Sequence, residues 1–223
     1  MCFSTAASFG AGALLTGATI LAARKSQKSV QWALVAIPGI FAIQQFTEGF
    51  VWLSLTNESY AGWSQSATFW FLFFAQVYWP AWIPLAMVLV EKDRWRRQIL
   101  FSLLGLGLVL SSYSIYSLLA YPIHARVWEY HIQYWIDTPP YWTTFVLLVY
   151  GLVTVAPTFF SSVPRMWWLG ITIAGSYFIS LALFPHHIVS VWCYFAAIIS
   201  VLVILVLSGM STKTKVRPEQ DPL

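Results

Sequence analysis

Seven apolar stretches dominate this chain, each about as long as the roughly 20-residue helix that crosses a hydrocarbon core of ~30 Å. They run over residues 3–23, 30–55, 67–90, 98–120, 141–161, 166–184 and 188–209. Lipid offers no partner to a bare backbone N–H or C=O, so runs of this length are expected to be helices. Composition agrees. Of 223 residues, 59% are hydrophobic and 9% charged, where a water-soluble domain has about 25% charged. A mean hydropathy of +0.69 excludes a soluble enzyme, a disordered chain and, despite a pI of 9.1, a nucleic-acid binder. The fold expected is all-α: a seven-transmembrane-helix bundle over residues 1–210, followed by a polar, frayed tail over 211–223.

Basic residues orient the bundle. The links after runs one, three and five, together with the tail, carry Arg24, Lys25, Lys28, Lys92, Arg94, Arg96, Arg97, Arg165, Lys213, Lys215 and Arg217. The opposite side carries Arg126 alone. Eleven against one places the N-terminus outside and the tail in the cytoplasm. The first run is not a cleavable signal, because its charges follow the apolar stretch instead of preceding it. Tryptophans such as Trp63, Trp79, Trp128, Trp135, Trp142 and Trp167 fall near the expected interfaces, where indoles anchor.

Small residues and prolines suggest packing. Ala6, Gly10, Ala13 and Gly17 share one face of the first helix, which is therefore expected inside the bundle; Gly105, Gly107, Gly170 and Ala174 should let other helices approach closely. Pro38, Pro80, Pro84 and Pro157 are expected to kink their helices or end their regular part.

Polar residues concentrate toward the outer side. Glu48 is the one carboxylate inside an expected span, roughly 10 Å below the outer surface at 1.5 Å rise per residue. Phe41, Gln45, Glu48 and Trp52 share its helix face, with Gln44 one turn below. A charge there costs on the order of 3 kcal/mol. Two readings stand: a protonated carboxyl acting as helix glue, or a proton carrier, metal ligand or acid/base. All four histidines lie outside: His124 and His131 after the fourth run, His186 and His187 between the last two. Pro122 to Asp137 reads as a short interfacial helix, because His124, Trp128, His131 and Trp135 follow the spacing i, i+4, i+7, i+11. Such a helix is either a lid with Trp and His tips at headgroup level or a source of metal ligands. Cys2 and Cys193 lie near the outer ends of the first and last helices. A disulfide, two inert buried thiols, and ligation of copper or zinc all fit them. No CxxC or HExxH spacing is present.

Every lysine (25, 28, 92, 213, 215) lies in a cytoplasmic segment, so a retinal Schiff base is excluded although the span count matches a rhodopsin. Walker A and GxSxG motifs are absent too. The opening Met1-Cys2-Phe3-Ser4 with Ala7-Ser8-Phe9 resembles the start of an uncharacterised bacterial integral-membrane family beginning MCFS-x-x-ASF. The resemblance continues through Gln44-Gln45, Glu48-Gly49, Trp52, Trp79-Pro80 and residues 190–197. It implies a bacterial inner-membrane location and assigns no activity.

Three functions follow from these residues. The first is an outward-facing polar pocket near Cys2, Glu48 and Cys193 that binds a metal ion or metal cofactor, with His124, His131, His186 and His187 as further candidate ligands, not all at once. A metal-dependent membrane hydrolase or oxidoreductase is compatible with it, though no motif indicates either. The second is a proton-coupled small-molecule transporter using Glu48. The third is a receptor-like bundle for a lipid or apolar ligand. The expected partners are the bilayer and a small molecule or ion.

Overall fold

A computed structural model describes residues 4–26, 29–128, 131–139, 143–183 and 195–215. Cys2, His186, His187 and Cys193, singled out above, lie outside the described residues, as do Lys28, Trp142 and most of the tail. Each of the seven apolar stretches contains a helix. They are α1 (Thr5–Lys25), α2 (Trp32–Thr56), a third rod of α3 (Ser64–Leu72), a wide π-type stretch Phe73–Tyr78 and α4 (Trp79–Val90), then α5 (Arg94–Ala120), α6 (Thr143–Phe160), α7 (Met166–Leu183) and α8 (Ala196–Lys215). The spans Thr5–Lys25, Ser29–Thr56, Glu58–Val90 and Arg94–Ala120 are long and apolar enough to cross a membrane; α6, α7 and α8 carry shorter apolar stretches among the described residues. α8 continues to Lys215, inside the segment expected to be a frayed tail.

Bonds between helices sort the loops to two ends. Trp82 Nε1 donates to the Ala33 carbonyl at 3.1 Å, bringing the start of α2 beside the later part of α4. Glu91 joins Ser162, and the Arg165 side chain lies against Gly209 of α8. Lys92, Arg94, Arg96, Arg97 and Arg165 therefore sit at one end with the C-terminus of α1, which carries Arg24 and Lys25. The other end carries Arg126. Large apolar side chains cover the outside of the rods: Leu14, Leu119, Val109, Leu148 and Phe178 are all exposed.

The α1–α2 pair is antiparallel and interlocked by small residues. Phe46 fills the space where a Gly12 side chain would be, Phe9 does the same at Gly49, and Thr19 abuts Gly39. The buried face of α1 is thus Ser8, Ala11, Gly12, Leu15 and Ala22. The stripe Ala6, Gly10, Ala13 and Gly17 faces outward instead, with open space above both glycines. Small residues on two faces made the spacing ambiguous, and the bulky rings of α2 decided which face packs.

The prolines act differently from one another. α2 and α6 continue through Pro38 and Pro157. The third rod widens just before Pro80. In a π turn the donor to the Ala75 carbonyl would be residue 80, a proline with no N–H. That carbonyl accepts instead from Tyr150 Oη of α6 at 2.6 Å, and the Val77 carbonyl accepts from Ser111 Oγ of α5 at 2.7 Å. The Pro80 carbonyl is freed in turn by Pro84 and points at Gly107, whose bare Cα lets α5 come close. Gly170 makes a similar close approach to Thr158 and Phe159, whereas Gly105 faces open space.

Pro122 to Asp137 is not a helix. It is an antiparallel hairpin of β1 (Ile123–Trp128) and β2 (His131–Ile136), closed at its base where Asp137 N donates to the Pro122 carbonyl at 3.1 Å. Among the described residues the chain is otherwise helical; the expectation corrected here is the interfacial helix. Alternation is the reason: Ile123 and Ala125, with Ile132, Tyr134 and Ile136, turn to one side and pack on Val51, Trp52, Phe71, Leu72 and Leu118. Tyr134 stacks on Phe71 with ring centroids 4.5 Å apart.

Gly107→Ala drives a methyl group into the Pro80 carbonyl oxygen, which is backbone and cannot swing away. The expected loss is about 2 kcal/mol. It is read as a fall of several degrees in the thermal midpoint, while Gly105→Ala, with open space for its methyl group, does not lower the midpoint.

Candidate functional site

The face of α2 foreseen as polar is buried. Glu48 has no exposed surface, Gln45 and Gln44 almost none. Gln45 Nε2 donates to Glu48 Oε2 at 3.3 Å, one helical turn apart on the face that the spacing assigned to both. Gln44 turns elsewhere: its Oε1 accepts from Trp79 Nε1 at 2.8 Å and ties α2 to α4. Phe41 packs on the same indole at 4.2 Å. Trp52, next along the Glu48 face, is 4% exposed, and its Nε1–H has no acceptor among the described residues. Ser8 of α1 is fully buried and its Oγ likewise has no partner among the described residues. It precedes Phe9, which sits on Gly49, so Ser8 lies at the depth of Glu48. A carboxyl, an amide, an indole N–H and a hydroxyl are thus all buried on α1 and α2, the first two joined by a hydrogen bond.

The histidines on the hairpin do not join them. His124 Nε2 lies 3.0 Å from Asp137 Oδ2, and the imidazole stacks on Trp135 at 4.9 Å. His131 pairs across the strands with Trp128. Both histidines occupy the face opposite the one that packs on Trp52, so a layer of apolar strand residues separates them from Glu48. Among the described residues, no group of three or more His, Cys, Asp or Glu side chains is arranged to hold a metal ion.

A second buried carboxylate went unnoticed in the sequence. Glu91, 4% exposed, follows α4 at the basic end. Its Oε1 accepts from the backbone N–H groups of Lys92 and Asp93, each at 2.9 Å, and from Ser162 Oγ at 2.6 Å. Its Oε2 accepts from Ser162 N at 2.6 Å. Burial alone pushes this carboxyl up, but the hydrogen bonds from Ser162, Asp93 and Lys92 outweigh it and hold the group below its ordinary value of 4.5. The arrangement latches the α4–α5 link to the α6–α7 link. Arg96 Nη1 reinforces it on the Phe160 carbonyl at 3.3 Å. In the same link Val163 to Met166 form a turn closed at 3.2 Å, with Pro164 second and Arg165 third at φ 67°. That third position usually takes glycine. The signal for Glu91 was there to be read: an acid at a helix C-terminus opposes the macrodipole and needs local donors.

The fold is a mostly helical bundle with four spans long and apolar enough to cross a membrane, one of which holds a fully buried carboxyl. The chain belongs to DUF6629, a family of unknown function, which matches residues 1–219. Neither a curated protein nor a solved structure matches it.

Because the folded state lowers the Glu91 pKa, the latch is fully stabilising above the ordinary value of 4.5 and is lost as pH falls through the lower folded value. Glu91→Gln, which cannot accept on its amide nitrogen, should melt several degrees below wild type at pH 7. The gap between the two midpoints should hold constant down to about pH 5 and close in more acidic buffer.

Proposed function

We propose that this is an inner-membrane protein of seven crossings, with the hairpin end outside, whose working centre is the Glu48 carboxyl and whose task is to receive a cation from the outer side. The observation that carries the reading is the complete burial of Glu48 in a span long and apolar enough to cross a bilayer. An ionisable group in that setting is costly and is kept for ion or proton chemistry. The gathering of basic residues at the opposite end supports the orientation.

The first reading is a metal ion or metal cofactor, with copper or zinc the natural choices for thiolate and imidazole donors. Glu48 would be the carboxylate ligand. Cys2, Cys193, His186 and His187 would supply the others, because in sequence they fall at the same end of the helices. His124 and His131 contribute less to this reading, being across the hairpin from Glu48. Elemental analysis of gently purified protein tests it. Wild type should carry stoichiometric metal, and Glu48→Gln, Cys2→Ser or Cys193→Ser should lower it several-fold. Metal-free wild type refutes it.

The second reading is a proton, and the Gln45–Glu48 hydrogen bond favours it, since a neutral amide partner suits a carboxyl that cycles between protonation states. Proton uptake into vesicles should then fall to background in Glu48→Gln and persist in Cys193→Ser. The cysteine variant separates the two readings.

A further inference from the structure

The outward face of the hairpin is built as three rungs. His124 pairs with Trp135, Arg126 with Gln133, and Trp128 with His131. The central arginine is held in place from three directions. Its guanidinium lies over the Trp128 ring at 4.7 Å and over Trp135 at 5.4 Å, while its Nε donates to Gln133 Oε1 at 2.8 Å. Stacking and that one bond fix the plane of the fork and leave its terminal nitrogens unspent: neither Nη has an acceptor among the described residues. Asp137, the nearby acid among the described residues, is engaged with His124. Among the described residues, the permanent positive charge of the face is that of Arg126. Both indoles remain open, Trp128 at 50% and Trp135 at 38% exposure.

Depth narrows the choice of occupant. The apolar side of the hairpin rests on Trp52 and Leu118, which lie within about 6 Å of the ends of α2 and α5 at 1.5 Å per residue. A ribbon at that height lies in the headgroup zone of a bilayer spanned by these helices, where indoles settle. An oriented guanidinium there matches a phosphate ester, which accepts two parallel N–H bonds. The geometry points to a binding site for the phosphodiester of a membrane phospholipid on this face, with Arg126 gripping the phosphate and Trp128 and Trp135 flanking the headgroup. The inference shares with the proposed function the premise that the helices span a bilayer, and is otherwise independent of Glu48.

Native mass spectrometry of the full chain in detergent tests it with three added probes. These are dioleoylphosphatidylglycerol, a glucosyl diacylglycerol with the same tails, and inorganic phosphate. The phospholipid should be retained about tenfold better than the glycolipid, the ratio expected of a charge-assisted bidentate pair. Arg126→Gln should abolish that preference, and Arg126→Lys, which keeps the charge but loses the planar fork, should fall between. An unchanged thermal midpoint shows that a variant's hairpin is intact; if Arg126→Gln lowers it, the comparison rests on Arg126→Lys. Equal retention of the glycolipid would mean sugar stacking on the indoles and overturn the proposal. So would inorganic phosphate displacing the lipid, or phospholipid preference surviving in Arg126→Gln. Failure of the metal or proton assays at Glu48 leaves this result untouched. Purification of the chain without detergent would remove the premise of both.

Discussion

Backbone polar groups in an apolar bundle must find partners inside the protein, and the third rod shows how much architecture that requirement organises. The wide turn at Phe73–Tyr78 and the prolines that follow leave carbonyls without their regular donors. Tyr150 comes from α6 to bond the Ala75 carbonyl, Ser111 from α5 to bond that of Val77, and Gly107 lets the α5 backbone meet the Pro80 carbonyl. These contacts bring α5 and α6 against α4 where apolar side chains alone would set no register. In a bilayer a neighbouring Leu would gain little over a lipid tail, so polar bonds and close backbone approach are what can specify which helices pair.

The polar groups divide by depth. Glu48, Gln45 and Gln44 sit in the interior, bonded to one another or to Trp79. Glu91 and its donors lie at the basic end, where an ionised carboxylate ties two links together. The hairpin presents Arg126 and two histidines at the far end. Three environments thus treat ionisable groups in three ways: enclosure, hydrogen-bonded fixation, and exposure against aromatic rings.

Much of this was readable in advance, and the failures have physical causes. Helix positions followed from hydropathy because backbone satisfaction leaves a long apolar run little alternative. That Glu48 and Gln45 share a helix face followed from helical spacing; the enclosure of that face came from its neighbours. The hairpin was not foreseen. His124, Trp128, His131 and Trp135 satisfy a helical repeat by coincidence, while the neighbouring Ile123, Ala125, Ile132, Tyr134 and Ile136 carry the two-residue alternation that won. In a segment this short both periods fit, and the apolar patch of Val51, Phe71, Leu72 and Leu118 chose between them. The latching role of Glu91 was not legible because, beside the local N–H groups of Lys92 and Asp93, its other two donors belong to Ser162, 71 residues away.

The chain alone therefore determined that it forms apolar helices, where they run, and that its one carboxylate within an apolar run shares a helix face with Gln45 and Trp52. Each is a local property, set by hydropathy over about 20 residues or by spacing within one turn. Which face of α1 packs, that Pro122 to Asp137 forms strands, and that Arg126 is clamped between two indoles were decided by tertiary structure. Those outcomes depend on what the rest of the molecule offers across space: the rings of α2 against glycine, an apolar patch under a ribbon, and a second strand in register.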